Sequence, residues 1–133
     1  MSRRETIYAR VSEMLVQALN VAADRIAPAA TLQRDLGAES IDLMDIAFRL
    51  EREFGIRIER DELFPEMSFL RDPDFARDGR LTEQGLAELR ARMPFADLGA
   101  FAKDPRLDDL GDLFTVGMIT CYVEGKLGGP NGN

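Results

Sequence analysis

Between residues 40 and 54 the chain carries two apolar strips on one stretch of helical period, and no other feature limits its folding choices as much. Leu43, Ile46, Ala47, Leu50 and Phe54 recur at i, i+3, i+4, i+7 and i+11, the spacing of a helix face that must be buried. Ile41, Met44 and Phe48 fall on a second strip at i, i+3 and i+7, edged by Asp42, Asp45 and Glu51. A strip outside the core face either packs under a following segment or serves as contact surface, and Phe48 is open to both readings. Gly55 stands where a left-handed cap would end the helix.

Other segments repeat the helical rhythm. Ser2 and Glu5 have the spacing of a capping box. Ile7, Val11, Met14, Leu15, Ala18 and Ala22 then predict a first helix ending near Ala23. Residues 24–39 form a long connection broken by Pro28, with Ile26, Leu32 and Leu36 spaced to pin it to the core. Ile56, Ile58, Leu63 and Phe64 alternate too briefly for a strand, and Pro65 closes that segment. Residues 71–80 are polar and turn-rich. Thr82 reads as an N-cap, with Leu81 placed to staple onto Leu86, and Leu86, Leu89 and Met93 mark a helix stopping at Pro94. Leu98 and Phe101 suggest one more turn before the Asp104-Pro105 connection. Thr115 opens a last helix whose Val116, Ile119, Val123 and Leu127 complete the core, and a frayed tail is expected at 128–133. The expectation is an all-α fold in a single domain, 1–133, since no separate core large enough for a second domain is present.

Composition narrows the function. The formal net charge of −7 disfavours a nucleic-acid or anionic membrane surface as partner and favours basic patches on other proteins. The chain lacks histidine, which removes the Ser-His-Asp arrangement and the commonest zinc ligand. A single cysteine, Cys121, allows neither an internal disulfide nor a multi-cysteine metal site, so no metal is expected and a reducing, cytoplasmic location is. No run is long and apolar enough to span a membrane, and charged residues interrupt the N-terminal stretch where a signal-peptide core would lie. Cys121 itself, with no cationic neighbour in sequence, reads as a small buried hydrophobe.

A polar loop turns at Gly37 and delivers Ser40 to the start of the second helix. Serine there is ordinarily an N-cap. Its surroundings give it a second meaning, because the hydroxyl lies beside N–H groups without intrahelical acceptors, at the positive end of a helix dipole. A phosphodiester on that oxygen would be stabilised. Asp35-Leu36-Gly37 followed by Glu39-Ser40-Ile41 resembles the attachment site of acyl carrier proteins, usually Asp-Leu-Gly and then Asp-Ser-Leu. Phe54-Gly55-Ile56-Arg57-Ile58 after the helix, and Thr115-Val116-Gly117 at the last one, also resemble that family.

The resemblance implies a small acyl-carrier-like helical bundle with 4′-phosphopantetheine, taken from coenzyme A, covalently attached at Ser40. It implies no catalytic residue in this chain. Partners would be a phosphopantetheinyl transferase and acyl-activating, condensing or acyl-transfer enzymes of fatty-acid, lipid or polyketide-type biosynthesis, docking on Glu39, Ile41, Asp42, Met44, Asp45, Phe48 and Glu51 of a monomeric carrier. Arg49 and Arg52 interrupt that acidic face. Residues of about 66–112 depart from a minimal carrier and read as a helical insertion between the second and last main helices, marking a specialised member. Leu81 to Phe101 would cover the acyl group or add docking surface. Two alternatives stand beside this reading. One is an unmodified carrier-like adapter that binds a partner through its second helix. The other is an enzyme using Ser40, or Asp42 with Asp45, for which the missing histidine and the solvated face leave little chemistry.

Overall fold

A computed structural model describes residues 2–59 and 61–128. Helix α1 spans Arg3–Leu19, and the expected capping box forms: the Glu5 N–H donates to Ser2 Oγ at 3.1 Å and the Ser2 N–H to Glu5 Oε1 at 3.0 Å. The helix ends four residues before the expected Ala23. Asn20 takes a left-handed conformation (φ 55°) and stops it, a conformation asparagine tolerates better than most residues. Ala22, assigned to the buried stripe from its spacing, is consequently exposed, and a 3-10 turn follows at Ala23–Arg25.

Helix α2 spans Ser40–Phe54 and closes at Gly55, whose φ is 64°. Two 3-10 segments that carry no periodic signal lie at Ser68–Arg71 and Leu107–Leu113. Between them is a two-stranded antiparallel hairpin, β1 (Ala76–Arg77) with β2 (Arg80–Leu81). It stands where the sequence suggested only turns. Asp78 and Gly79 form its two-residue loop, both with positive φ, as a primed turn requires. Helix α3 (Glu83–Arg92) starts at Thr82, whose hydroxyl accepts the Gly85 N–H at 3.0 Å. Helix α4 is the short turn Gly99–Lys103. Helix α5 (Val116–Lys126) starts at Thr115, whose hydroxyl accepts the Met118 N–H at 3.1 Å. Among the described residues the regular structure is helical apart from this hairpin and two isolated bridges.

One apolar cluster joins these elements. Val11 and Leu15 of α1, Ile46 and Leu50 of α2, and Val116, Ile119 and Val123 of α5 are fully buried at its centre. Leu89 and Met93 of the α3 region extend the same cluster, with Leu98 and Phe101 around α4. Tyr122 packs edge-on against Phe95 at 5.1 Å. Its buried hydroxyl has no partner in bonding geometry among the described residues. Burial first, and the nearby Glu62 carboxylate second, push that phenol above the ordinary tyrosine range. Expected tail residues 129–133 lie outside the described residues.

Helix α3 meets the hairpin closely at Gly85. A methyl group there would lie 1.9 Å from the Phe75 carbonyl oxygen, a backbone atom. Gly→Ala inside a helix ordinarily gains ~0.5–1 kcal/mol. Gly85→Ala should do the reverse and lower stability by about 2 kcal/mol, within the range for overpacked sites. A denaturant midpoint at or above the parent's would refute this close approach.

Candidate functional site

The loop before α2 is held at its middle by the start of α5 and closed on itself beyond that point. At the start of α5, where N–H groups have no intrahelical acceptor, the Val116 N–H donates to the Ala30 carbonyl at 3.1 Å and the Gly117 N–H to the Pro28 carbonyl at 2.9 Å. The Leu32 N–H donates to the Phe114 carbonyl at 2.9 Å, and Thr31 bridges Thr115. Within the loop, Asp35 Oδ2 accepts the Thr31 N–H at 2.8 Å, and the Ala38 N–H reaches the Leu32 carbonyl at 2.8 Å. Leu32 and Leu36 are buried as expected and Ile26 half-buried. Gly37, with φ 73°, reverses the chain, and α2 begins three residues later.

Ser40 is the first residue of α2, not its cap. Glu39 is the N-cap, in an extended conformation (φ −105°, ψ 173°), and its N–H donates to Asp42 Oδ2 at 2.8 Å. Ser40 is exposed, and its hydroxyl has no hydrogen-bond partner among the described residues. The Asp42 and Leu43 N–H groups turn to the Glu39 carbonyl at 2.9 and 3.2 Å. Among the described residues no protein group accepts from the N–H of Ser40 or of Ile41. The site therefore joins an uncommitted hydroxyl to two free donors at a helix N-terminus, where negative charge is favoured.

Next to it the second apolar strip stands in solvent. Ile41 is 77% exposed, Met44 64% and Phe48 58%. Phe48 is thus surface, and of its two readings the structure takes the exposed one. Three large apolar side chains aligned on one helix face form a patch of the kind that marks interaction sites. The acids beside them are less free than their sequence suggests. Asp45 pairs with Arg49 at 2.8 Å, and the half-buried Glu51 accepts the Ile58 N–H at 2.8 Å. Asp42 is occupied at the Glu39 N–H. Of these described acids Glu39 alone is exposed. Sequence reasoning missed Ile56 and Ile58, which with Phe48 line a shallow depression beyond the strip. Their signal was the alternation after Gly55. Cys121 is half-buried rather than buried, and Arg4 lies near it across the fold.

Residues 9–68 match the family model described as the phosphopantetheine attachment site. The acyl carrier protein of Saccharopolyspora erythraea is 38% identical over 60 residues, 45% of this chain and 63% of that protein, just under two thirds of its length. The acyl carrier protein of Nitratidesulfovibrio vulgaris is 35% identical over 57 residues, 43% of this chain and 75% of that one. The acyl carrier protein of Thermotoga maritima is 35% identical over 63 residues, 47% of this chain and 78% of that one. The chain belongs to the acyl carrier protein family. It is accordingly a carrier of covalently attached 4′-phosphopantetheine, served by enzymes and not itself one. The family model stops short of α3, α4 and α5.

The Thr31 amide, first, holds the Asp35 carboxyl below the usual carboxylate range, with the Thr31 hydroxyl and the Arg34 and Arg25 guanidinium groups adding to it against burial. A depressed folded pKa contributes stability above the unfolded carboxylate value near ~4, and that contribution disappears as pH falls through the folded value. Asp35→Asn should therefore lower stability at pH 7 and flatten its dependence on pH below ~4. An unchanged acid limb in thermal unfolding would show that the loop clasp contributes nothing.

Proposed function

We propose that Ser40 is the attachment point of the arm and that the protein carries acyl groups as thioesters in fatty-acid, lipid or polyketide-type biosynthesis. The supporting observation is the exposed Ser40 hydroxyl, free of any partner among the described residues, beside the unpaired N–H groups of Ser40 and Ile41. A side chain capping its own helix would have its oxygen engaged; here Glu39 takes that position. On this reading Ser40 Oγ bonds to the phosphorus of coenzyme A's pantetheine arm, loses its proton to a base of the transferase, and adenosine 3′,5′-bisphosphate departs. The new phosphodiester would lie at the positive end of α2. When bound, 4′-phosphopantetheine supplies a terminal thiol that holds the acyl group.

Docking on the same helix completes the proposal. Ile41, Met44 and Phe48 supply apolar contact area, and Glu39, Asp42, Asp45 and Glu51 set the register with a basic partner. The phosphopantetheinyl transferase and acyl-activating, condensing or acyl-transfer enzymes would read this face in turn. Residues 66–112 are proposed as an insertion in a single carrier domain. A cytoplasmic location belongs to the same proposal and is supported by the single free cysteine.

Incubation with coenzyme A and a broad-specificity transferase should add the mass of one phosphopantetheine, and Ser40→Ala should add none. An unmodified parent chain under conditions that load a control carrier would leave the adapter reading instead. Met44→Ser or Phe48→Ser should slow the loading reaction while shifting stability by no more than ~0.5 kcal/mol, as for surface positions. Loading at the parent rate would remove the strip from the docking surface.

A further inference from the structure

A groove of about 1060 Å³ opens between α1, α5 and the segment that carries α4. Phe101 and Met118 form its buried floor, and Tyr8, Phe95, Leu113 and Cys121 are half-buried around them, each with surface still to cover. Among the described residues none of α2 lines it, and of its lining Pro28 alone falls within the family-matched residues 9–68. This face is therefore separate from the one that presents Ser40. We infer that the groove docks a helix of a partner protein, apolar on one face and bearing lysine or arginine along its flanks. The inference goes beyond the carrier reading and does not depend on it.

Charge sets the sign of the occupant. Asp97, Asp104, Asp109 and Asp112 stand on the walls around α4 and the Leu107–Leu113 turn. Asp104 is paired with Arg80 at 2.8 Å and Asp112 with Arg34 at 3.1 Å. Such surface pairs are worth ~1 kcal/mol or less, so a partner's cation replaces either at small cost. Among the described residues no cation pairs with Asp97 or Asp109. On the opposite wall Arg4 is already taken, donating to Glu124 Oε1 at 3.0 and 2.7 Å, and Glu5 accepts the Ser2 N–H. The open wall is thus negative, and a cationic flank complements it. A second copy of this chain would bring a net charge of −7, and its own apolar strip is edged by Asp42, Asp45 and Glu51. Like charges would oppose it.

The backbone of the lining selects a helix. The α1, α4 and α5 walls spend their N–H and C=O groups within their own turns, so an extended segment laid along them finds no ladder to join. A helical segment arrives with its backbone already paired. From Thr115 to Cys121 the groove follows α5 for about 9 Å at 1.5 Å per residue. Apolar side chains at i, i+4 and i+7 of a docked helix extend over about 10 Å by the same rise. The lining supplies aromatic and methionine side chains, the types enriched at protein interfaces.

The test uses the full chain with Ser40 unloaded, in which Cys121 is the sole thiol. The probe is a synthetic helix of about 18 residues, long enough to hold its shape, with leucine on one face and lysine elsewhere. One control replaces each lysine by glutamate, and a second scrambles the order so that no apolar face remains. Fluorescence anisotropy should show the lysine helix binding at least about tenfold more tightly than either control. At nine times its Kd it should slow alkylation of Cys121 by iodoacetamide about tenfold, as mass action requires for a groove nine-tenths occupied. Asp97→Lys with Asp109→Lys should weaken the lysine helix about tenfold and tighten the glutamate helix. Glu13→Lys with Asp24→Lys, exposed positions outside the groove, changes net charge equally and should move neither by more than about twofold. Binding that leaves Cys121 unprotected, or that responds alike to both charge reversals, would overturn the proposal. So would a dimer of the peptide-free chain that Asp97→Lys with Asp109→Lys dissolves, since the occupant would then be a second copy.

Discussion

The N-terminus of the last helix holds this structure together in the place where it matters. Every helix leaves donors unpaired in its first turn. Here Val116 and Gly117 give theirs to the carbonyls of Ala30 and Pro28, while Thr115 Oγ1 takes the Met118 N–H. A connection of roughly twenty residues would otherwise be long for a structureless loop. Fastened to α5 and closed on itself through Asp35 and Thr31, it becomes a rigid support. The same device that satisfies the polar backbone of α5 therefore sets where α2 begins and where Ser40 points.

That placement separates two roles within one turn of helix. Glu39 stands at the cap position and its N–H is held by Asp42, leaving the Ser40 hydroxyl uncommitted. A shift of one residue would put the serine at the cap, with its oxygen turned to backbone N–H groups and less open to esterification. Function at this position depends on a neighbour, and not the serine, standing at the cap.

Helices α1, α3 and α5 were legible in the sequence because the cap at their start and the period after it agree. Ser2 with Glu5, Thr82 and Thr115 all stand where the structure places helix starts, and the double strip of α2 separates cleanly into Ile46, Leu50 and Phe54 inside and Ile41, Met44 and Phe48 outside. What escaped was set by single backbone choices or by distant partners. Ala18 and Ala22 prolong the apolar rhythm of α1, yet one left-handed Asn20 ends it. Two-residue strands are too short to show a period of two, so only Asp78-Gly79 hinted at the hairpin. Glu51 looks solvated in sequence, but the reversal at Gly55 brings the Ile58 N–H back onto it. The groove joins Tyr8 to Phe95 and Met118, and no local pattern encodes a meeting of residues that far apart.

Leaving Ile41, Met44 and Phe48 in water forgoes burial worth roughly 1.5–3 kcal/mol for each such side chain. A domain of this size has little stability to spare, so the strip is retained against its interest in folding. The neighbouring acids offset one another's availability: Asp45 is neutralised by Arg49, and Asp42 and Glu51 accept backbone N–H groups. A charged partner therefore meets a weaker field than the net charge of −7 suggests. Exposed charge is screened beyond a Debye length of ~8 Å at physiological salt, whereas apolar contact is not. Recognition of α2 consequently depends more on the shape of the strip than on its acids, which favours partners with a complementary apolar cleft over those that are merely basic.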